Sequence, residues 1–210
     1  MKHPLFLPTL LVIGVIIGLS GGIPEWLTQG NLTFLLLAAL VFQVGFGIGC
    51  RPDARLMLNS LRPKLAVFPL FTITGSLVFS GLAFFLLPQM AFSDVLAVGS
   101  GFGYYSLSSV LIQDMKAASA GTEAATVLAT TALLSNILRE VAALLLCGAM
   151  ARRGKTYAAI SVAGINSMDV CLPLISIGQK DNSLIPAALF HGLVLEISVP
   201  LLIGLIKRVR

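Results

Sequence analysis

The sequence predicts an all-α fold: a polytopic helical membrane protein with about five full crossings plus two interrupted segments. Three observations carry that prediction. Of 210 residues, 57% are hydrophobic and 11% charged, where soluble domains carry about 25% charge. The mean hydropathy is +0.95, and the apolar residues fall in continuous runs of about 20, the length that crosses a bilayer as helix. Those runs do not alternate with period two, which excludes an outer-membrane barrel.

The elements follow in order. The first span covers about Leu5 to Leu19 and ends at "SGGIP", where Gly and Pro forbid continuation. No convincing cleavage site follows it, so it reads as a retained span rather than a leader. Asn31 to Cys50 is the second, and "RPDARLMLNSLRPK" leads to the third, about Leu65 to Leu87. Ala91 to Met115 holds the first interruption, "GSGFGYYSLSS", and Gly121 to Met150 is a long helix closed by "ARRGK". Thr156 to Gly178 holds the second interruption, "GINSMDVCLP", and the last span is about Ile185 to Ile206. No soluble domain or long linker intervenes, so residues 1–210 read as a single transmembrane transporter domain.

The two interruptions share a grammar of glycine, then hydroxyl or amide, then a helix restart. Gly99, Gly101 and Gly103 each cost a helix about 1 kcal/mol relative to Ala. Opened backbone at membrane depth is tolerated where protein buries it or where it lines an aqueous cavity. Two interrupted segments in corresponding places point to a transporter's binding site; the alternative is two continuous helices with polar faces against neighbours. Charge placement favours hairpins. If Lys2 and the Arg51–Lys64 loop are cytoplasmic, a full crossing by Ala91–Met115 puts Arg152, Arg153 and Lys155 outside, against the positive-inside bias. Two re-entrant hairpins meeting tip to tip restore that bias, although "KRVR" at positions 207–210 then lies outside. Making Thr156–Gly178 a full crossing is the competing arrangement.

The net charge of +5 does not indicate nucleic acid, because the basic residues cluster between spans as topology signals. Cys50, Cys147 and Cys171 lack metal or redox spacing. His3 and His191 lack ligand spacing, no Ser/His/Asp set sits on an elbow, and the glycines follow no strand. No enzyme, cofactor or metal is expected.

Three acids fall inside apolar runs: Glu140, Asp169 and Glu196. Such groups cost about 2.5–3.5 kcal/mol at a helix centre and are functional candidates. Asp169 is the strongest, because it lies at a break. Glu140 either faces the hairpin tips or forms a structural partnership with Arg139, and Asn136 shares its helix face. Glu196 and His191 are five residues apart, which sets them off by some 140° on a helix; packing roles are as consistent as pairing. Tyr105, Ser106, Ser108 and Ser109 at one break, with Asn166 and Ser167 at the other, are neutral donors near half-helix amino termini, which attract carboxylates. Gly101, Gly103 and Pro173 shape the breaks. A site of both characters suits a zwitterion with a cationic side chain, and lysine fits.

The segments Gly99–Ser109, "NILREV" at 136–141, "GINSMDVCLPLI" at 164–175 and "IPAALFHG" at 185–192 resemble the lysine exporter LysO family. That family's motifs read close to GFGWYSLSG, DLAREL and GATSMDxTLP. The resemblance covers about Asn31 to the carboxyl end. It implies inner-membrane export of lysine and toxic lysine analogues. Carried over residue by residue, it points to Tyr105, Ser106, Ser108, Arg139, Glu140, Ser167, Asp169, Pro173 and His191. Tyr104 replaces the family's usual Trp, and Asn136 stands where Asp is common. Full-length members carry further amino-terminal spans with a membrane-embedded acid, for which Asp53 is only a loose counterpart here. The expected function is therefore export of lysine or a related cationic amino acid by proton antiport, with Asp169 or Glu140 as the proton site. An auxiliary membrane subunit, or an exporter of another solute, is the alternative. The expected partners are the amino acid, lipid, and either a second copy or a small membrane subunit resembling the family's extra spans.

Overall fold

The computed structural model describes residues 67–176 and 184–208, and the isolated positions Ile13, Ile16, Ile17, Leu35, Ala39, Phe42 and Phe46. The chain divides into two compact units, Met1–Gly45 and Phe46–Arg210. In the first unit the described positions are helical and exposed; the first two expected spans otherwise lie outside the described residues. Everything below concerns the second unit.

Seven helices and no strand occur among the described residues: α1 (Phe68–Ala83), α2 (Phe92–Gly99), α3 (Tyr105–Ala120), α4 (Thr122–Arg152), α5 (Thr156–Ala163), α6 (Leu172–Ser176) and α7 (Ile185–Arg208). A 3-10 turn, Phe84–Leu86, extends α1, and another, Gly164–Met168, follows α5. Three of these helices are long and apolar enough to cross a membrane: Phe68–Leu86, Thr122–Arg152 and Ile185–Ile206. The two interrupted segments fall where the sequence predicted them, at residues 100–104 between α2 and α3, within the glycine cluster, and at 164–171 between α5 and α6, starting at Gly164.

The central element is α4. Ala125, Ala129, Ala132, Asn136, Ala143, Cys147 and Ala151 are its buried stripe, spaced by three, four or seven residues and therefore on one face. Small residues let neighbouring backbones approach where lipid removes the hydrophobic drive between helices. The opposite face carries exposed Leu134, Leu138 and Leu145, as a lipid-facing surface requires. Glu123 in the first turn and Arg152 in the last complement the helix dipole.

The stripe serves two clusters in succession. Leu128 and Ala132 pack with Phe102, Leu107, Ile112 and Met115 of the first interrupted segment. Ala143, Cys147 and Ala151 pack with Ala159, Ile160, Cys171 and Ile175 of the second. Helix α7 enters through the second cluster at Ala188 and leaves through the first at Leu195, Val199 and Ile203.

Both interrupted segments double back. Lys116, on the fourth turn of α3, donates to Asp94 at the start of α2 at 2.5 Å. A chain running straight through the break would hold those residues more than about 25 Å apart at 1.5 Å per helical residue. In the second segment, Cys171 and Ile175 return to the cluster that Ala159 and Ile160 already occupy, and Leu174 reaches the Gly148 level of α4.

Candidate functional site

The tips of the two segments meet beside the middle of α4. The backbone N–H of Ile165 donates to the Phe102 carbonyl at 3.1 Å. Gly164 makes the approach possible: its φ is +62, and a Cβ there would stand 2.5 Å from the Phe102 oxygen. Asn136 pins the first tip. Its Oδ1 accepts from the Gly103 N–H at 2.8 Å, while Nδ2 donates to the Ala132 carbonyl at 2.9 Å and to Ser108 Oγ at 3.4 Å. Gly101 lies so close that a Cβ would collide with the Asn136 carboxamide.

A buried polar chain pins the second tip. Ser167 Oγ donates to the Ala188 carbonyl at 2.8 Å and lies 3.3 Å from His191 Nδ1. His191 Nε2 is 2.9 Å from Thr72 Oγ1, which is 2.8 Å from Ser161 Oγ. The chain thereby joins α1, α5 and α7 to the turn. Gly192 presents no side chain where Ile165 and Met168 press against α7.

Between the tips and α7 lies a cavity of about 240 Å³, lined by Gly103, Tyr104, Tyr105, Ser106, Glu140, Ile165, Asn166, Met168, Asp169, Val170 and Glu196. Its three carboxylates come from three elements, and no basic side chain lines it among the described residues. The volume lies below the roughly 300–1,000 Å³ of drug-sized pockets, which suits a metabolite. Asn166 lines this cavity, and its buried Nδ2 has no hydrogen-bond partner among the described residues. Asp169 is exposed, and its Oδ1 accepts from the Val170 N–H at 2.6 Å. The three acids have no metal-holding geometry, since no metal-competent group of His, Cys, Asp or Glu occurs among the described residues.

The structure thus gathers Gly103, Tyr105, Ser106, Glu140, Asn166 and Asp169 around one cavity and places the other sequence candidates elsewhere. Ser108 and Ser109 are buried, with hydroxyls turned to the Tyr105 and Ser106 carbonyls. Ser167 and His191 belong to the pinning chain, so His191 bonds Thr72 rather than Glu196. Pro173 is exposed in the first turn of α6. Asn136 and Glu140 line different cavities despite their shared helix face. No ion pair joins Arg139 to Glu140 among the described residues; the guanidinium lies 5.8 Å from the Phe102 ring centroid instead. Sequence reasoning undervalued Tyr104 and Glu196, whose only signal was a polar group in an apolar run.

Together these features define a helical membrane protein with an acid-lined cavity at paired helix breaks. The lysine exporter LysO family matches residues 9–207, and the chain belongs to that family. It is 30% identical over 198 residues to lysine exporter LysO of Escherichia coli K12, covering 92% of this chain and 60% of that protein. It is 29% identical over 202 residues to a putative lysine exporter of Haemophilus influenzae, covering 92% of each. The chain therefore spans about three fifths of the Escherichia coli relative's length. No solved structure matches it.

Proposed function

We propose that this chain exports lysine or a related cationic amino acid, toxic lysine analogues included, across the inner membrane. The observation that carries the reading is the cavity in which Glu140, Asp169 and Glu196 converge without a basic residue. Opposite charges within about 4–6 Å strengthen one another in a low-dielectric site, so an ammonium group is the favoured guest. Tyr105, Ser106 and Asn166 supply hydrogen bonds that orient it. The names of the relatives support the same solute.

The reading includes the membrane arrangement. Two doubled-back segments whose tips touch are what re-entrant hairpins from opposite faces require, with α1, α4 and α7 as full crossings and two more in the amino-terminal part. The Asp94–Lys116 contact supports it for the first segment. Assembly as a homodimer, or with a small membrane subunit, would cover the exposed aromatic side chains of α1 at Phe71 and Phe79; the mass of the intact complex in mild detergent decides between them.

Coupling follows from charge. Moving one positive charge outward against about 150 mV costs roughly 3.5 kcal/mol. Exchange for an entering proton cancels that charge, and Asp169 or Glu140 is the group placed to carry the proton. The test is resistance to a toxic lysine analogue in cells expressing Asp169→Asn or Glu140→Gln. Loss of resistance in each, with normal accumulation in the membrane, is expected. Wild-type resistance in both variants contradicts the site.

A further inference from the structure

Behind the tip junction lies a second cavity, of about 670 Å³, whose polar lining includes Ser76, Ser80, Ser135, Asn136, Arg139 and Ser161. We propose that this groove binds a small carboxylate through Arg139. The proposal goes beyond the export reading and stands independently of it.

Arg139 sits near the middle of α4, where a cation is most costly in a membrane. The guanidinium is half-buried, and charges drawn from water are normally paired, yet among the described residues its one hydrogen bond is from Nη1 to Ser76 Oγ at 3.4 Å. A guanidinium offers five donors, and no acid lines the groove among the described residues. Glu140, its neighbour in sequence, faces the other cavity. The remaining contacts are the Phe102 ring and the bare edge of Gly164, whose missing Cβ would stand 3.4 Å from Nη2. A carboxylate completes this set, because its two oxygens match the fork of a guanidinium bidentately. The hydroxyl of Ser76 is available beside it. Asn136 is not, since its carboxamide is committed to Gly103 and Ala132.

The groove and the acid-lined cavity stand back to back across the tips. Phe102 and Gly103 belong to the wall, with Arg139 against Phe102 on one side and Gly103 lining the acid cavity on the other. The chain thereby keeps a cation-attracting and an anion-attracting site separate.

The test uses the purified full chain with Cys50, Cys147 and Cys171 replaced and Ser135→Cys as reporter, since Ser135 is exposed in the groove. The rate of maleimide labelling is measured with acetate, lysine or cadaverine at constant ionic strength in chloride. Acetate should slow labelling at least about fivefold, Arg139→Lys should retain part of that effect, and Arg139→Gln should abolish it. Protection by lysine and not cadaverine identifies a free amino acid as the carboxylate's source. Protection by acetate alone identifies another small acid. No protection by any carboxylate, or equal protection in Arg139→Gln, overturns the proposal. Efflux of lysine is read separately after the same protein is reconstituted into liposomes, so its absence beside intact acetate protection would refute only the export reading. Elution position on gel filtration, matched across variants, excludes misfolding as the cause.

Discussion

Placing a methyl group at Gly164 attacks the contact on which the two-tip arrangement depends. Gly164 holds φ +62 and ψ −129, a region that side chains enter at a cost of about 1–3 kcal/mol. Its Cβ would also stand 2.5 Å from the Phe102 carbonyl oxygen, a backbone atom that cannot rotate away. Separating the tips removes the Ile165–Phe102 hydrogen bond, worth about 0.5–1.5 kcal/mol net. Gly164→Ala should therefore destabilise the protein by about 2–4 kcal/mol. Gly121→Ala is the matched control, with φ +84 and nothing within 4 Å of its Cβ, so it carries strain without collision. Reversible unfolding in mixed micelles measures both. A Gly164→Ala variant no less stable than Gly121→Ala would refute the close contact between tips.

Other perturbations separate pinning from binding. Removing one partner of the buried pair, by Lys116→Met or Asp94→Leu, should cost about 3–5 kcal/mol, and the double substitution should recover most of it; equal losses in single and double variants would contradict the strap across the first hairpin. His191→Ala takes one partner from the Thr72 and Ser167 hydroxyls, which keep Ser161 and the Ala188 carbonyl, and should lower stability by about 1–3 kcal/mol. Efflux corrected for protein amount should survive that change, and disproportionate loss would show that His191 touches the solute. Ser109→Ala should change stability by no more than about 1 kcal/mol and leave efflux unchanged, because its hydroxyl serves its own helix. Asn166→Ala should lower efflux markedly, because Asn166 lines the acid cavity; unchanged efflux would remove Asn166 from the site.

Much of this arrangement was legible in the sequence, for identifiable reasons. Glycine followed by hydroxyl and amide side chains inside an apolar run marks a helix break whatever the tertiary context, so the interruptions at 100–104 and 164–171 could be placed from local cost alone. Asp169 was legible because an acid at a break has few structural uses. Glu196 was not, because it lies mid-helix in α7 and becomes relevant only where that helix passes the tips. Ser109 shows the converse. Helical periodicity puts it on the Tyr105 face, but one turn of rise, about 5.4 Å, carries it past the cavity into burial. The strap between Asp94 and Lys116 joins residues 22 positions apart, beyond any helical spacing, so only the folded chain reveals it. The buried stripe of α4 was hidden in an ordinary alanine-rich run until its neighbours were known.

The central claim is that the cavity of Glu140, Asp169 and Glu196 carries a cationic amino acid across the membrane in exchange for protons. Its most direct measurement is efflux of labelled lysine from proteoliposomes containing this chain alone, with the pH gradient imposed or collapsed. The account predicts efflux that rises with the inward proton gradient in the wild type and is absent in Asp169→Asn and Glu140→Gln vesicles holding the same amount of protein. Lysine efflux that persists undiminished in both variants would contradict it.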